Sequence, residues 1–334
     1  MKIANIEVSP GERKIGWIDV TKRASGETLR IAVNILRGLK DGPVLGLVGI
    51  LHGDAAYGVV IEKAVLDSID IKSLKGTILA MPVGNPIAFE SFTRTTGQGM
   101  NTDKNNMNRV FPGDPGGWVT EQMADAISMH FVTHLDYLID FHSGDLSNAI
   151  NYILVETPEN EAGEQGVLLS KLYGTDILFL MDSPAHHGTL VQYAQSKGIP
   201  SVIAEIGGCV AFDDEHLSRF VQGVKNIMIH VGMMDGEIVL PAKQYMLHRR
   251  VLIRPKNGGL FVPEVGFEKL SKNVPGGTVL GRVISPHTFE ELESFVAPYD
   301  DTTLIMMRGV LSRVNPGDYG YILGDWSSAE IITN

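Results

Sequence analysis

The sequence predicts an α/β protein, a mainly parallel mixed sheet flanked by helices, with a second, smaller all-β domain. Two observations carry this. Between residues 44 and 206, short, wholly apolar runs of strand length alternate with helical stretches, as strands buried on both faces do. After about residue 240 the helical pattern almost disappears, and β-like runs are punctuated by KNGG, VPGG and NPGD. The composition shift places the two units at 1–238 and 239–334. A chain of 334 residues is long enough to bury a core in each.

Taken in order, KIGWIDVT and ETLRIAVNILRG alternate in character and predict antiparallel strands joined by the KRASGE turn. The buried strands are expected at 44–51, 76–83, 136–142, 151–156, 176–181 and 200–206. A helix is expected over 120–135, where Met123, Ile127, Phe131 and Leu135 recur at i+4, with Thr120 as N-cap and Glu121 in the first turn. A second is expected over 215–232, and a third from Tyr57 to Asp67. In the late unit, NVPGGTVLGRVI and VNPGDYGYIL echo each other weakly, as two similar β-units packed face to face would.

Composition excludes several classes of function. With 44% hydrophobic and 20% charged residues the chain is globular, and its net charge of −11 disfavours nucleic acid and anionic membrane as partners. The single cysteine, Cys209, permits no intramolecular disulfide and fits a reducing compartment. MKIANIEVSP has no apolar signal core, and no run reaches membrane-span length, so the expected location is cytoplasmic.

Chemistry is expected at the strand ends. His52 follows the first buried strand, His142 ends DYLIDFH, and Glu205 ends SVIAE before Gly207 and Gly208. Open α/β sheets bind ligands at this carboxyl edge. Two imidazoles and a carboxylate there suit a hydrolytic zinc site, which needs a few N/O ligands, an open position for water and a base. Between the first two strand ends lies NPIAFESFTRTTGQGMNTDKNNMNRVFPGDPGG, with little periodicity. Long stretches of this kind in compact domains are often functional. The segment contains Arg94, Asn108 and Arg109. An arginine can polarise a carbonyl or clamp a carboxylate, and the adjacent Asn-Arg pair followed by VFPG would give a firmly held carboxylate clamp, whereas Arg94 taken alone also reads as a solvated loop residue.

In this order and spacing, LHGD, NPIAFESFTR, MNRVFPGDP, DFHSG and AEIGG resemble the succinylglutamate desuccinylase/aspartoacylase family. The motifs are closest to its N-acetyl-diaminobutyrate deacetylase-like members. The resemblance covers nearly the whole chain. It implies a zinc carboxypeptidase-like fold with a C-terminal β-domain of barrel-sandwich type. It also implies zinc-activated water that removes an acyl group from the amino nitrogen of a small N-acyl amino acid. Carried over, it makes His52 and His142 zinc ligands, Glu205 the general base, Arg94 the carbonyl stabiliser, and Asn108 with Arg109 the carboxylate clamp.

The family motif reads His-Gly-Asp/Asn-Glu and takes its third zinc ligand from the Glu; here that position is Ala55. A methyl group binds no metal. Asp54, one residue earlier, is either a substitute ligand or the cap of the following helix. Three accounts stay open: zinc on two His with Asp54 or water, a ligand from elsewhere, or a metal-free, non-catalytic binding protein. An engineered Glu-to-Ala change is compatible with the same sequence.

His186 and His187 of PAHHG follow the strand DILFLM and point to different sides, so at most one of them can supply a ligand from elsewhere, and substrate contact or surface exposure is the favoured reading. His130 and His134 sit four apart but enclose FVT, without the Glu of a zincin helix. Cys209 reads as a small buried residue. FVAPYDDTTLIMMRG lacks the lysine of a biotinyl or lipoyl carrier, so the late domain is expected to act as a lid, a wall of the site or a subunit contact. A homo-oligomer is plausible.

Overall fold

A computed structural model describes residues 2–3, 5–97, 106–181, 187–209 and 214–334. The elements that position the site are, in chain order, β1 (Arg13–Lys22), β2 (Thr28–Arg37), β3 (Lys40–Val48), α1 (Tyr57–Ser68), β4 (Lys75–Met81), α2 (Val119–His130), β5 (Tyr137–His142), β6 (Asn148–Glu156), α3 (Glu161–Leu172), β7 (Ile177–Met181), α4 (Leu190–Ser196), β8 (Ser201–Gly208) and α5 (Asp214–His230). The late half adds β9 (Lys243–Leu247), β10 (Arg250–Ile253), β11 (Gly259–Pro263), β12 (Val279–Ile284), β13 (Glu291–Val296), β14 (Asp301–Arg308), β15 (Ser312–Val314) and β16 (Tyr321–Asp325).

The principal sheet runs β10-β16-β14-β6-β8-β5-β3-β4-β2-β1. Its centre, β8-β5-β3-β4, is parallel, and the antiparallel pair β1 and β2 forms one flank. Apolar side chains alternate to both faces of these central strands, and both faces are covered. Met123, Ile127 and Phe131 of the α2 segment and Leu190 and Ala194 of α4 pack on one side. Ile61 and Val65 of α1, Leu169 of α3 and Phe220, Val224 and Ile227 of α5 pack on the other. The wholly apolar runs of the sequence are therefore strands with no solvent face.

The expected boundary at 238/239 falls between α5 and β9, and sheet pairing continues past it. β6 is shared: Asn148, Ala149 and Ile150 pair antiparallel with β14, while Ile153 to Glu156 pair parallel with β7. β9 then pairs parallel with β7. A second sheet, β13-β12-β11-β15, closes over β14 and β16 around Phe261, Phe295, Leu304 and Tyr321, giving the late half its sandwich.

Helix starts differ in detail from the sequence expectation. α2 begins at Val119, so Thr120 lies buried inside the helix instead of capping it. Glu121 does the capping work, accepting from the Trp118 amide at 3.1 Å. α2 also stops at His130, and a separate 3-10 turn (Val132–His134) carries His134, so the two histidines do not share one helix. At α1 the N-cap is Ala56, with no side-chain cap; Asp54 is not used there.

The loops that leave β3 and β4 are tied together by Asn85, which is fully buried. Its amide nitrogen donates to Thr96 Oγ1 at 2.8 Å and to the Leu51 carbonyl at 3.4 Å, and its Oδ1 accepts from the Ala88 amide at 3.1 Å. Its own backbone amide donates to the Ile50 carbonyl at 2.8 Å. Asn85→Ala strands several of these groups away from water, so a loss of roughly 3 kcal/mol is expected in a denaturant midpoint experiment.

Candidate active site

The strand ends open on a cavity of about 220 Å³. His52, Arg94, Asn108, Arg109, His142 and Glu205 all line it. Asp54, the remaining candidate, sits beside the cavity with its Oδ1 3.7 Å from Arg94 Nη1.

Strand register places the first group. Glu205 of β8 is in register with His142 of β5 on one side and Tyr152 of β6 on the other. Residues in register on neighbouring strands project to the same face, so imidazole, carboxylate and phenol stand in a row. His52 reaches them from the loop after β3, where Ile50 adopts a left-handed φ of 44°. A β-branched residue is disfavoured there, and the bond from Asn85 to its carbonyl helps to hold it. The rings of His52 and His142 lie 5.3 Å apart between centroids.

Asp140, two residues before His142 on the same face of β5, presents Oδ2 to His142 Nε2 at 3.0 Å. Asn108 Nδ2 also lies 3.2 Å from that nitrogen, and Asn108 Oδ1 accepts from the Leu190 amide at 2.8 Å. Asn108 is thus anchored to α4 through its Oδ1, with Nδ2 packed beside His142, whose Nε2 donates to Asp140. Arg109, largely exposed, donates to the Asn108 carbonyl and lines the cavity.

The electrostatics follow from burial. Desolvation first, then the charges of Arg94 and His142, hold His52 well below the usual imidazole range and keep it neutral. At His142 desolvation acts downward, but the charge and hydrogen bond of Asp140, with Glu205 behind, outweigh it and the net shift is upward. Asp54 is raised by burial against the opposing pull of Arg94. Burial, reinforced by Glu205, also raises the Tyr152 phenol, whose oxygen accepts from Arg250 Nη1 at 3.0 Å.

Whether these residues suit a metal ion rests on their unpaired donors. His52 Nδ1 is buried with no hydrogen-bond partner among the described residues. His142 uses Nε2 on Asp140, the carboxylate–histidine arrangement that leaves the other ring nitrogen for a metal. The two imidazoles thus fit a metal ion. Ala55 is buried and offers nothing, and no group of three or more His, Cys, Asp or Glu side chains among the described residues is arranged to hold one.

The model of the succinylglutamate desuccinylase/aspartoacylase catalytic domain matches residues 41–231, more than half of the chain. The chain belongs to this family. Among similar proteins, the N-alpha-acetyl-L-2,4-diaminobutyric acid deacetylase of Halomonas elongata is 26% identical over 83% of this chain and 81% of its own. A product-bound structure of the ectoine utilization protein from Ruegeria pomeroyi superposes with a TM-score of 0.82 at 22% identity, covering 96% of this chain and 98% of that one. A succinylglutamate desuccinylase from Silicibacter sp. superposes at 0.81 with 21% identity, covering 99% and 100%. These two structures share the fold, including the late β unit.

Within this succinylglutamate desuccinylase/aspartoacylase family member, the remaining histidines among the described residues stand apart from the cavity. His187 is exposed and lines a shallow neighbouring pocket; His186 lies outside the described residues. His130 is exposed at the end of α2. Cys209 is half-buried, and burial pushes its thiol up to about 11, which suits an inert side chain.

Sequence reasoning missed a further group. Arg250, Arg254 and Tyr319 come from the late half, where nothing local marks them; Arg254 stacks over the Tyr319 ring at 4.5 Å and Arg94 approaches it at 5.8 Å. Asp140 was legible in principle, because i and i+2 on a strand share a face. Glu156, at the end of β6, also lines the cavity, and burial, with Glu159 next, raises its carboxyl to about 7.

Glu156 carries a stability prediction. Its folded value lies above that of an unfolded glutamate, so the folded state binds the extra proton between about 4.5 and 7. Stability from this group is complete below that window and lost as pH rises through it. Glu156→Gln removes the loss, and at pH 8 the variant is expected to be more stable than the parent by roughly 1–3 kcal/mol, with little difference at pH 4. Thermal melts at the two pH values measure it.

Proposed function

We propose that the chain is a metal-dependent deacylase that hydrolyses the amide bond of a small N-acyl amino acid. Family membership supports the deacylase class. The observation that carries the reading is the convergence of His52, His142 and Glu205 on one cavity with the guanidinium groups of Arg94 and Arg109. The resemblance to the Halomonas deacetylase favours an N-acetyl diamino acid as substrate.

His52 and His142 would hold the metal. When bound, the metal supplies acidification of a water molecule and polarisation of the carbonyl. Glu205 takes a proton from the attacking water and delivers it to the leaving nitrogen as the C–N bond breaks, leaving a carboxylate and an amine. Arg94 faces the carbonyl oxygen, where negative charge accumulates. Asn108 packs beside His142, and Arg109 pairs with the substrate carboxylate through its two-pronged head. Cover from the late half, through Arg250, Arg254 and Tyr319, restricts the site to small molecules.

A second reading, a non-catalytic binder of the same ligands, is favoured by Ala55 at the position of the family's third ligand. One experiment separates them. Protein purified without chelator and dialysed against zinc is assayed for metal and for amine release from Nα-acetyl-2,4-diaminobutyrate, N-acetylaspartate and N-succinylglutamate. The deacylase reading expects about one zinc per chain, lost in His52→Ala and His142→Ala, and turnover of at least one substrate. Calorimetric binding of the same compounds, without zinc or turnover, supports the binder and overturns the enzyme.

A further inference from the structure

The cavity has a far end that the chemistry above leaves unused. Every second residue of β6 from Asn148 to Glu156 lines it, as the two-residue period of a strand requires. Tyr152 is in register with Glu205, and Leu154 with Ile203. Glu156 therefore stands four residues beyond the reactive row, about 13 Å along the strand at ~3.3 Å per residue. The wall between is apolar, made by Leu154, Ile203, Val191 and Met181, the last in register with Glu156 itself.

At the end of this wall the Glu156 carboxyl is poorly served. No hydrogen bond or ion pair among the described residues engages it. The pocket behind it, about 150 Å³, is lined by Glu159, Asn160, His187, Gln192 and Gln195, with no lysine or arginine among the described residues. Burial, and then the charge of Glu159, raise the carboxyl against the weaker pull of Arg109. An arriving ammonium group relieves both costs, because it supplies the missing donors and the missing opposite charge.

The arginines of the cavity leave this place open. Arg250 donates to the Tyr152 oxygen and lies over the Phe179 ring at 4.2 Å, and Arg254 lies over Tyr319. Arg109 is within electrostatic reach of both Glu156 and Glu205. A substrate carboxylate on Arg109 thus leaves the side chain of the same amino acid free to run along the apolar wall.

We propose that Glu156 is a specificity-determining residue, which receives the terminal ammonium group of an N-acyl diamino acid whose methylenes lie along Leu154, Ile203 and Met181. This rests on the deacylase reading of the site and adds to it the residue that selects for a second amine.

The test compares three pairs of Nα-acetyl compounds: 2,4-diaminobutyrate with 2-aminobutyrate, ornithine with norvaline, and lysine with norleucine. Each pair differs only in the side-chain amine, and the three lengths span the apolar wall. At pH 8, kcat/KM for the best amine compound is expected to exceed that of its amine-free partner by about tenfold or more, and the ratio to fall below about threefold in Glu156→Gln. Glu156→Asp keeps the charge and should keep a preference. Equal use of both members of every pair overturns the proposal, and so does a preference that survives Glu156→Gln. Loss of the preference in Glu156→Asp as complete as in Glu156→Gln also overturns it, since shape and not charge would then be the residue's contribution. Calorimetric Kd ratios on zinc-free protein read the same preference without metal or turnover. Preferential binding of the amine compounds without turnover defeats the deacylase reading and leaves Glu156 in its role, whereas turnover without the preference does the reverse. A parent protein that binds none of the six compounds, with or without zinc, overturns both.

Discussion

Glu205→Gln is expected to lower kcat by about 10²–10⁴-fold while KM and thermal stability stay close to those of the parent. Glutamine keeps the size and the acceptor oxygen but cannot take a proton from water at neutral pH. The fold should tolerate the change, because Glu205 is only partly buried and is held by main-chain register with His142 and Tyr152. Amine release under saturating substrate measures the effect. A large rise in KM with kcat preserved would instead make Glu205 a binding group and leave the reaction without its base.

Gly53→Ala is expected to cost about 3 kcal/mol or more of stability, the upper range for an overpacked site. A Cβ at this position would stand 2.2 Å from the Ala88 carbonyl carbon, 2.3 Å from its oxygen and 2.4 Å from the Thr93 carbonyl oxygen. These are main-chain atoms with no rotamer to yield. Gly53 also donates its amide to the Arg94 carbonyl at 3.2 Å, so the close approach joins the His52 loop to the Arg94 loop. Any accommodation separates the imidazole from the guanidinium. Turnover should therefore fall by more than the folded fraction does, a difference visible when kcat/KM is normalised to folded protein.

Much of this architecture was legible because burial simplifies sequence. Strands with no solvent face are apolar throughout, so the central sheet could be read from VLGLVGIL, GTILAMPV and SVIAEI. Parallel strands present their carboxyl ends to one side, which gathers His52, His142 and Glu205 without knowledge of the loops. Less of the fine geometry was open to such reading. The amide of Asn108 is fixed by the Leu190 amide and lies beside His142, 82 and 34 residues away, and no local pattern encodes those neighbours. Asp54 faced two local options, metal or cap, and the structure turns it toward Arg94 while α1 starts without a side-chain cap. Arg250, Arg254 and Tyr319 enter the cavity only because the late strands join the principal sheet. A change of composition marks such a unit but not its point of attachment.

The shared strand β6 has a wider meaning. Its opening residues belong to the pairing of the late half and its closing residues to that of the early half, with Tyr152 between them on the cavity wall. The two halves are thus woven, not hinged. A substitution that shifts β14 tugs on the phenol beside Glu205, so ligand preference and reactivity share one mechanical thread. Grafting a late half from a relative with another appetite would carry that thread along, and the graft would need to preserve the pairing of Ala149 and Ile150 to keep Glu205 where it stands.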